Sequence, residues 1–129
     1  MNNTVKQTEA EKSISRDVVA GTAAVPTVDT FFSREVPSRS GFELTHFANF
    51  IDVPAAWGSI TWSVRVNGMG VAPPFDAIKD QYGLAAEPRP IVPIKVRGGD
   101  KIEIVISNTF PATVGVGLAI RFLKGKREE

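Results

Sequence analysis

Apolar and polar residues alternate strictly along several short segments of this chain, and the alternation constrains the fold more than any other feature. In Ser59–Val66 every second residue is apolar, namely Ile60, Trp62, Val64 and Val66. Successive side chains of a β-strand point to opposite faces, so this spacing predicts a strand with one buried face. Asn67-Gly68 follows at once. This dipeptide favours positive φ angles and therefore predicts a tight turn after the strand.

The same alternation recurs along the rest of the chain. It predicts further strands in the segments Val25–Ser33, Phe42–Val53, Val92–Val96, Lys101–Ser107 and Thr113–Lys124. The phase of the alternation changes near His46-Phe47, which predicts a β-bulge there. About six or seven short strands, each with one apolar face and separated by turn signals, predict an all-β fold. The expected architecture is an antiparallel β-sandwich or jelly roll, with little helix.

Residues 1–24 differ from the rest, because they contain no aromatic residue and their charges alternate in sign. Four larger apolar residues occur among them, and we consider all four candidate partner contacts: Val5, Ile14, Val18 and Val19. We predict an extended arm that becomes ordered against a neighbouring subunit. A short helix over Glu9–Val19, with Thr8 as its N-cap, and a terminus without function are the alternatives. The predicted domains are the arm at 1–24, a β-sandwich at 25–124 and a charged tail at 125–129.

A long insertion, Gly68–Pro90, separates two of the predicted strands and contains several prolines. It also contains large apolar residues that a solvated loop does not need: Phe75, Ile78, Tyr82 and Leu84. We expect these four residues to contact a neighbouring subunit or ligand, although they could instead cap an open end of the sandwich. One helical turn is plausible at Asp76–Tyr82.

The inventory of reactive residues argues against an enzyme. The chain has one histidine, His46, and no cysteine, so triads and thiolate or multi-histidine metal sites lack their parts. Four acids, Asp76, Asp80, Glu87 and Asp100, lie in turns and are expected to be solvated. Gly115 and Gly117 lie within a predicted strand, where small residues permit close packing against another backbone. We therefore predict no catalytic, cofactor or metal site.

Charge and hydropathy also restrict the partners. The formal net charge is +1, whereas a nucleic-acid partner calls for a concentrated basic face. No segment approaches the roughly 20 apolar residues of a membrane span, and the N-terminus has no apolar run typical of a secretory signal. We expect a soluble protein that binds neither nucleic acid nor membrane.

The order of motifs from Trp62 to Phe122 resembles a known class of protein. A strand with T-W-S-V-R-V-N-G is followed by D-Q-Y-G, then P-I-x-V, G-D-K-I-E-I-V-I-S-N and a last strand closing on R-F. This order resembles β-sandwich capsid decoration (cement) proteins of tailed bacteriophages. The resemblance implies a structural virion protein, made in the host cytoplasm, that binds major capsid protein on the outer capsid surface. It also implies a homo-oligomer, a trimer or dimer, and transfers no individual functional residue.

Two other functions remain open from the sequence. One is a neck, tail or fibre-base component of the same kind of particle, which would use the same fold at lower copy number. The other is a carbohydrate- or receptor-binding module, for which Trp57, Phe75 and Tyr82 would be the stacking residues. Fold alone does not separate these functions.

Overall fold

The computed structural model describes residues 5–22, 24–70 and 87–127, which form eight strands and one short 3-10 helix, Pro54–Ala56. The strands are β1 Val5–Val18, β2 Thr27–Glu35, β3 Ser40–Ile51, β4 Ile60–Val66, β5 Met69–Gly70, β6 Arg89–Arg97, β7 Lys101–Asn108 and β8 Val114–Arg127. No helix in these ranges is long and apolar enough to cross a bilayer.

Strand pairing follows one simple rule. The first strand pairs antiparallel with the last, the second with the seventh, the third with the sixth and the fourth with the fifth. The chain is thus a long hairpin, and the lateral pairs β3–β8 and β4–β7 roll it into two sheets. The sheet orders are β1-β8-β3-β6 and β2-β7-β4-β5, where β5 has only two residues. A rolled hairpin of this kind is a jelly roll, which confirms the all-β prediction.

The core lies between the sheets and contains the apolar faces that the alternation predicts. Ile60, Trp62 and Val64 of β4 are at most 1% exposed. Phe31 and Phe47 contact the Trp62 ring edge-to-face, with centroids 5.3 and 5.8 Å away. β7 and β8 contribute every second residue to the same layer: Ile102, Ile104, Ile106, Val114, Val116, Leu118, Ile120 and Phe122.

Turns and bulges also follow local sequence. Asn67 and Gly68 have φ angles of 54° and 80°, as the predicted tight turn requires. The pairing of β3 shifts register between Leu44 and His46, next to the predicted bulge. A second bulge in β2, between Thr30 and Phe32, was not predicted. It allows the adjacent Phe31 and Phe32 both to be buried, because an extra residue interrupts the alternation.

The N-terminal region differs from its prediction. Val5–Val18 form β1 and pair with β8 along the whole strand, from Val5 opposite Arg127 to Val18 opposite Val114. The extended N-terminal arm is therefore not confirmed, and the alternative of a helix over Glu9–Val19 is wrong for Glu9–Val18. β8 also continues through Arg127, past the predicted end of the sandwich at residue 124. The same pairing explains both differences, since the end of β8 is the partner of the start of β1.

Candidate functional site

Three loops meet at one end of the sandwich, which we call the loop end: residues 19–22 and 24–26, residues 52–59, and residues 109–113. Asn108, at 0% exposure, joins two of them. Its Nδ2 donates to Val19 O (3.0 Å) and its Oδ1 accepts from Phe110 N (2.8 Å). Thr109 N and Oγ1 both donate to Ser59 O, at 2.9 and 3.0 Å. These partly buried hydrogen bonds fix the loops relative to one another.

Gly21 allows the β1–β2 loop to pack closely against β7. Its N–H donates to Phe110 O at 3.0 Å. A Cβ at this position would lie 2.1 Å from Asn108 O and 2.7 Å from Thr27 N. Both neighbours are backbone atoms that cannot rotate away, so only glycine fits without moving the loop.

Exposed valines occur in and beside the β1–β2 loop. Of the five large apolar side chains that are exposed in the described ranges, three lie in or beside the β1–β2 loop: Val19 (61%), Val25 (73%) and Val28 (61%). We call them the valine corner. Single exposed apolar residues are normal on a protein surface, and the three valines are a candidate contact because all of them lie within residues 19–28.

Arg16 of β1 links the two sheets next to the loop end, because its partners lie on β2. Its guanidinium donates to both carboxylate oxygens of Asp29, at 3.0 and 3.2 Å, and to the carbonyl of Thr30. The same group lies 4.4 Å from the centroid of the Phe31 ring. A bidentate pair that also stacks on an aromatic ring holds its geometry better than a simple surface pair.

A shallow groove of about 380 Å³ lies near the loop end, on the outer face of the β1-β8-β3-β6 sheet. The pairing of β1, β8 and β3 places two rows of residues side by side, and these rows form the groove. In one row Ser15 and Phe50 flank Gly117. In the other row Asp17 lies opposite Gly115, whose N–H donates to Asp52 Oδ1 at 2.8 Å. All six residues line the groove.

The two glycines of β8 determine the shape of this groove. A Cβ on Gly117 would lie 1.7 Å from Cε2 of Phe50, so the ring lies directly over the glycine. A Cβ on Gly115 would lie 2.4 Å from Asp52 Oδ2. The glycine pattern predicted close packing of another backbone here, but an aromatic ring and a carboxylate pack against the two glycines. The Gly115-x-Gly117 pattern was the one sequence signal of the groove, and it did not identify Phe50 or Asp52.

The structure separates the partner-contact residues predicted in the N-terminal segment. Val18 is 1% exposed and belongs to the core, and Ile14 packs against that core. The buried Val18 side chain is not available to a partner, so that prediction is wrong, whereas a partner contact of the partly buried Ile14 stays a prediction. Val19 is exposed at the valine corner. Val5 lies at the start of β1, opposite Arg127.

The other predicted contacts, Phe75, Ile78, Tyr82 and Leu84, lie outside the described residues, as do Asp76 and Asp80. Trp57 follows the 3-10 helix and does not line the groove. His46 Nδ1 lies 2.9 Å from Thr45 Oγ1, beside the bulge in β3. Among residues 5–22, 24–70 and 87–127, no three His, Asp or Glu side chains are placed to share a metal ion.

Comparison with known proteins gives little. No family model matches the chain, and no curated protein matches it. One similar solved structure comes from disulfide-linked pili, the endospore appendages of Bacillus, with 11% identity and a TM-score of 0.37. That alignment covers 99% of this chain and 96% of the other. A likeness this weak carries no argument, so the fold assignment depends on the strand pairing described above.

Proposed function

We propose that this protein is a structural virion protein of a tailed bacteriophage, which decorates the capsid by binding adjacent major capsid subunits through its loop end. The valine corner is the observation that carries the proposal. Burying a valine side chain contributes about 1.5–3 kcal/mol, so three exposed valines offer substantial binding energy. The sequence resemblance to decoration proteins supplies the kind of partner.

The loop end suits a binding surface because it is already rigid. Asn108, Gly21 and Thr109 hold the valine-bearing loop against its neighbours. Ordering a flexible loop on binding costs roughly 0.5–1.5 kcal/mol for each immobilised side chain, and a braced loop avoids part of that cost. This mechanism does not use the predicted extended arm, since Val5–Val18 are already paired within the sheet.

Substitutions at the valine corner test the proposal directly. Val25→Asp and Val28→Asp place a charge on the proposed contact, and we expect each to weaken binding to undecorated capsids at least about tenfold, measured by co-sedimentation. Val92→Asp is the matched control, because Val92 is 80% exposed on β6. Binding that survives both corner variants, or that Val92→Asp weakens equally, would contradict the proposal.

Copy number separates the capsid from the neck, tail or fibre base. Quantitative mass spectrometry of purified particles should find hundreds of copies, in simple ratio to the major capsid protein. About a dozen copies would place the protein in the neck or tail, and absence from particles would reject the virion proposal. A homo-oligomer, trimer or dimer, is part of the proposal, and light scattering of the purified protein tests it.

A further inference from the structure

We infer that the groove lined by Ser15, Asp17, Phe50, Asp52, Gly115 and Gly117 binds a neutral saccharide. This site is separate from the valine corner, and none of the three valines lines it. The inference does not depend on attachment to a capsid, and its test uses different residues. It also differs from the sequence-based hypothesis of sugar stacking on Trp57, Phe75 and Tyr82.

Phe50 provides a flat apolar surface. Gly117 has no side chain, so the ring lies against the backbone of β8 and cannot tilt into the sheet. The ring is partly exposed. The face of an aromatic ring carries partial negative charge, and one face of a pyranose presents C–H groups of partial positive charge. Because the Phe50 ring is already held in place, it loses little conformational freedom when a sugar stacks on it.

The polar side chains beside the ring match the hydroxyl groups of a sugar. Asp52 Oδ1 accepts the N–H of Gly115, which fixes the carboxylate, and a carboxylate has about four acceptor positions. Asp17 adds a second carboxylate, and the hydroxyl of Ser15 can donate or accept. The two oxygens of one carboxylate can accept hydrogen bonds from two neighbouring hydroxyl groups of a sugar.

Size and charge narrow the ligand class. Small-molecule sites typically have about 300–1,000 Å³, and this groove, at about 380 Å³, is near the lower limit and suits one or two sugar units. Two carboxylates repel an acidic sugar, and Arg16, a cation that also lines the groove, is already paired with Asp29. An apolar ligand would leave the remaining acceptor positions of both carboxylates without donors, which is costly. The combination of ring and acceptors therefore selects a neutral sugar.

The experiment is a titration of the intact protein with methyl β-galactoside, methyl β-glucoside and methyl β-N-acetylglucosaminide, followed by NMR chemical-shift changes. N-acetylneuraminic acid is the acidic comparison. We expect at least one neutral sugar to shift the amides of Gly115, Gly117 and Asp52, and the acid to shift none of them. No response to any neutral sugar, shifts confined to other regions, or stronger binding of the acid would overturn the inference.

Variants locate the site. Phe50→Ala should weaken binding at least about tenfold, and Asp17→Asn several-fold, whereas Phe50→Trp should retain it. Gly117→Ala keeps the aromatic residue but displaces its ring, so it should also abolish binding. Two matched controls should bind normally: Glu9→Gln, on the outer face of β1 away from the groove, and Trp57→Ala. Loss of binding in Trp57→Ala but not in Phe50→Ala would refute the assignment, and Asp17→Asn provides the test if Gly117→Ala fails to fold.

Discussion

Two neighbouring valines test whether the N-terminal segment belongs to the fold. Val18 is the last residue of β1 and is 1% exposed within the core, whereas Val19 is 61% exposed at the valine corner. The same substitution at each position should therefore give opposite results. Val18→Ala should destabilise the protein clearly, and Val19→Ala should leave its stability almost unchanged.

The structure sets the size of the difference. Val→Ala removes two carbon groups, each of which contributes about 0.8 kcal/mol when buried. The closely packed surroundings of Val18 leave a small cavity in addition, so the total loss should be about 2–3 kcal/mol. For a chain of this size, this corresponds to a melting temperature lower by roughly 6–12 °C. An exposed site such as Val19 should change stability by less than about 0.5 kcal/mol.

Urea unfolding followed by tryptophan fluorescence measures both variants. Trp62 is buried beside Phe31 and Phe47, so its emission reports loss of the core. The slope of the transition should be unchanged, because the variants expose the same surface on unfolding. A Val18→Ala variant as stable as the natural protein would mean that β1 does not contribute to the folded core, and the original prediction of an arm would be restored.

Three further substitutions test other parts of the fold, each by urea unfolding. Trp62→Ala should cost about 3–5 kcal/mol, since it leaves a large cavity between Phe31 and Phe47; a near-neutral result would mean that β4 does not face the core. Gly21→Ala should cost about 1–3 kcal/mol, because its Cβ would clash with the backbone of Asn108. Its control, Gly41→Ala, should be close to neutral, since no atom lies within 4 Å of the added Cβ; equal losses would exclude the clash as the cause. Arg16→Met removes the pair with Asp29 and the contact with the Phe31 ring, and it should cost only about 0.5–1.5 kcal/mol because the pair is partly exposed. If the loss in Arg16→Met persists unchanged in an Asp29→Asn background, the ion pair contributes nothing.

β4 and β7 were the most predictable strands because each has an uninterrupted apolar face. In β4 and β7 every second residue is deeply buried, from Ile60 to Val64 and from Ile102 to Ile106. Such residues have no alternative role, so period-two alternation alone identifies the strand. The turn at Asn67-Gly68 was predictable for a similar reason, since few residues other than Asn and Gly adopt its positive φ angles.

β1 was not predictable because an edge strand buries less surface. Its inward positions are Ala10, Lys12, Ile14, Arg16 and Val18, opposite the inward residues of β8. Only Val18 of this set is fully buried. A small residue and two cations at core-facing positions interrupt the apolar pattern, so the segment resembles a polar arm. Its membership of the sheet depends on pairing with residues at the far end of the chain, from Val114 to Arg127, which local sequence does not reveal.

The groove was hidden for the same reason. Ser15, Phe50 and Gly117 come from three separate strands and meet only through the register of β1, β8 and β3. An isolated Gly-x-Gly in a strand indicates a close approach but does not identify the approaching group. The partner contact predicted for Val19 stays a prediction, and its side chain is exposed.

The free edges of the two sheets explain why binding should use side chains at the loop end and not strand addition. An unpaired edge offers backbone groups to any extended chain unless something prevents it. β6 contains Pro90 and Pro93, which lack the N–H that a partner strand needs. On β2, Arg16 occupies the carbonyl of Thr30, and β5 has only two residues. β1 carries Lys12 and Arg16 on its inward face, and inward charges discourage pairing with another strand. Each sheet edge in the described residues therefore has a feature that hinders strand addition. The exposed valines of the valine corner are better suited to the proposed protein contact.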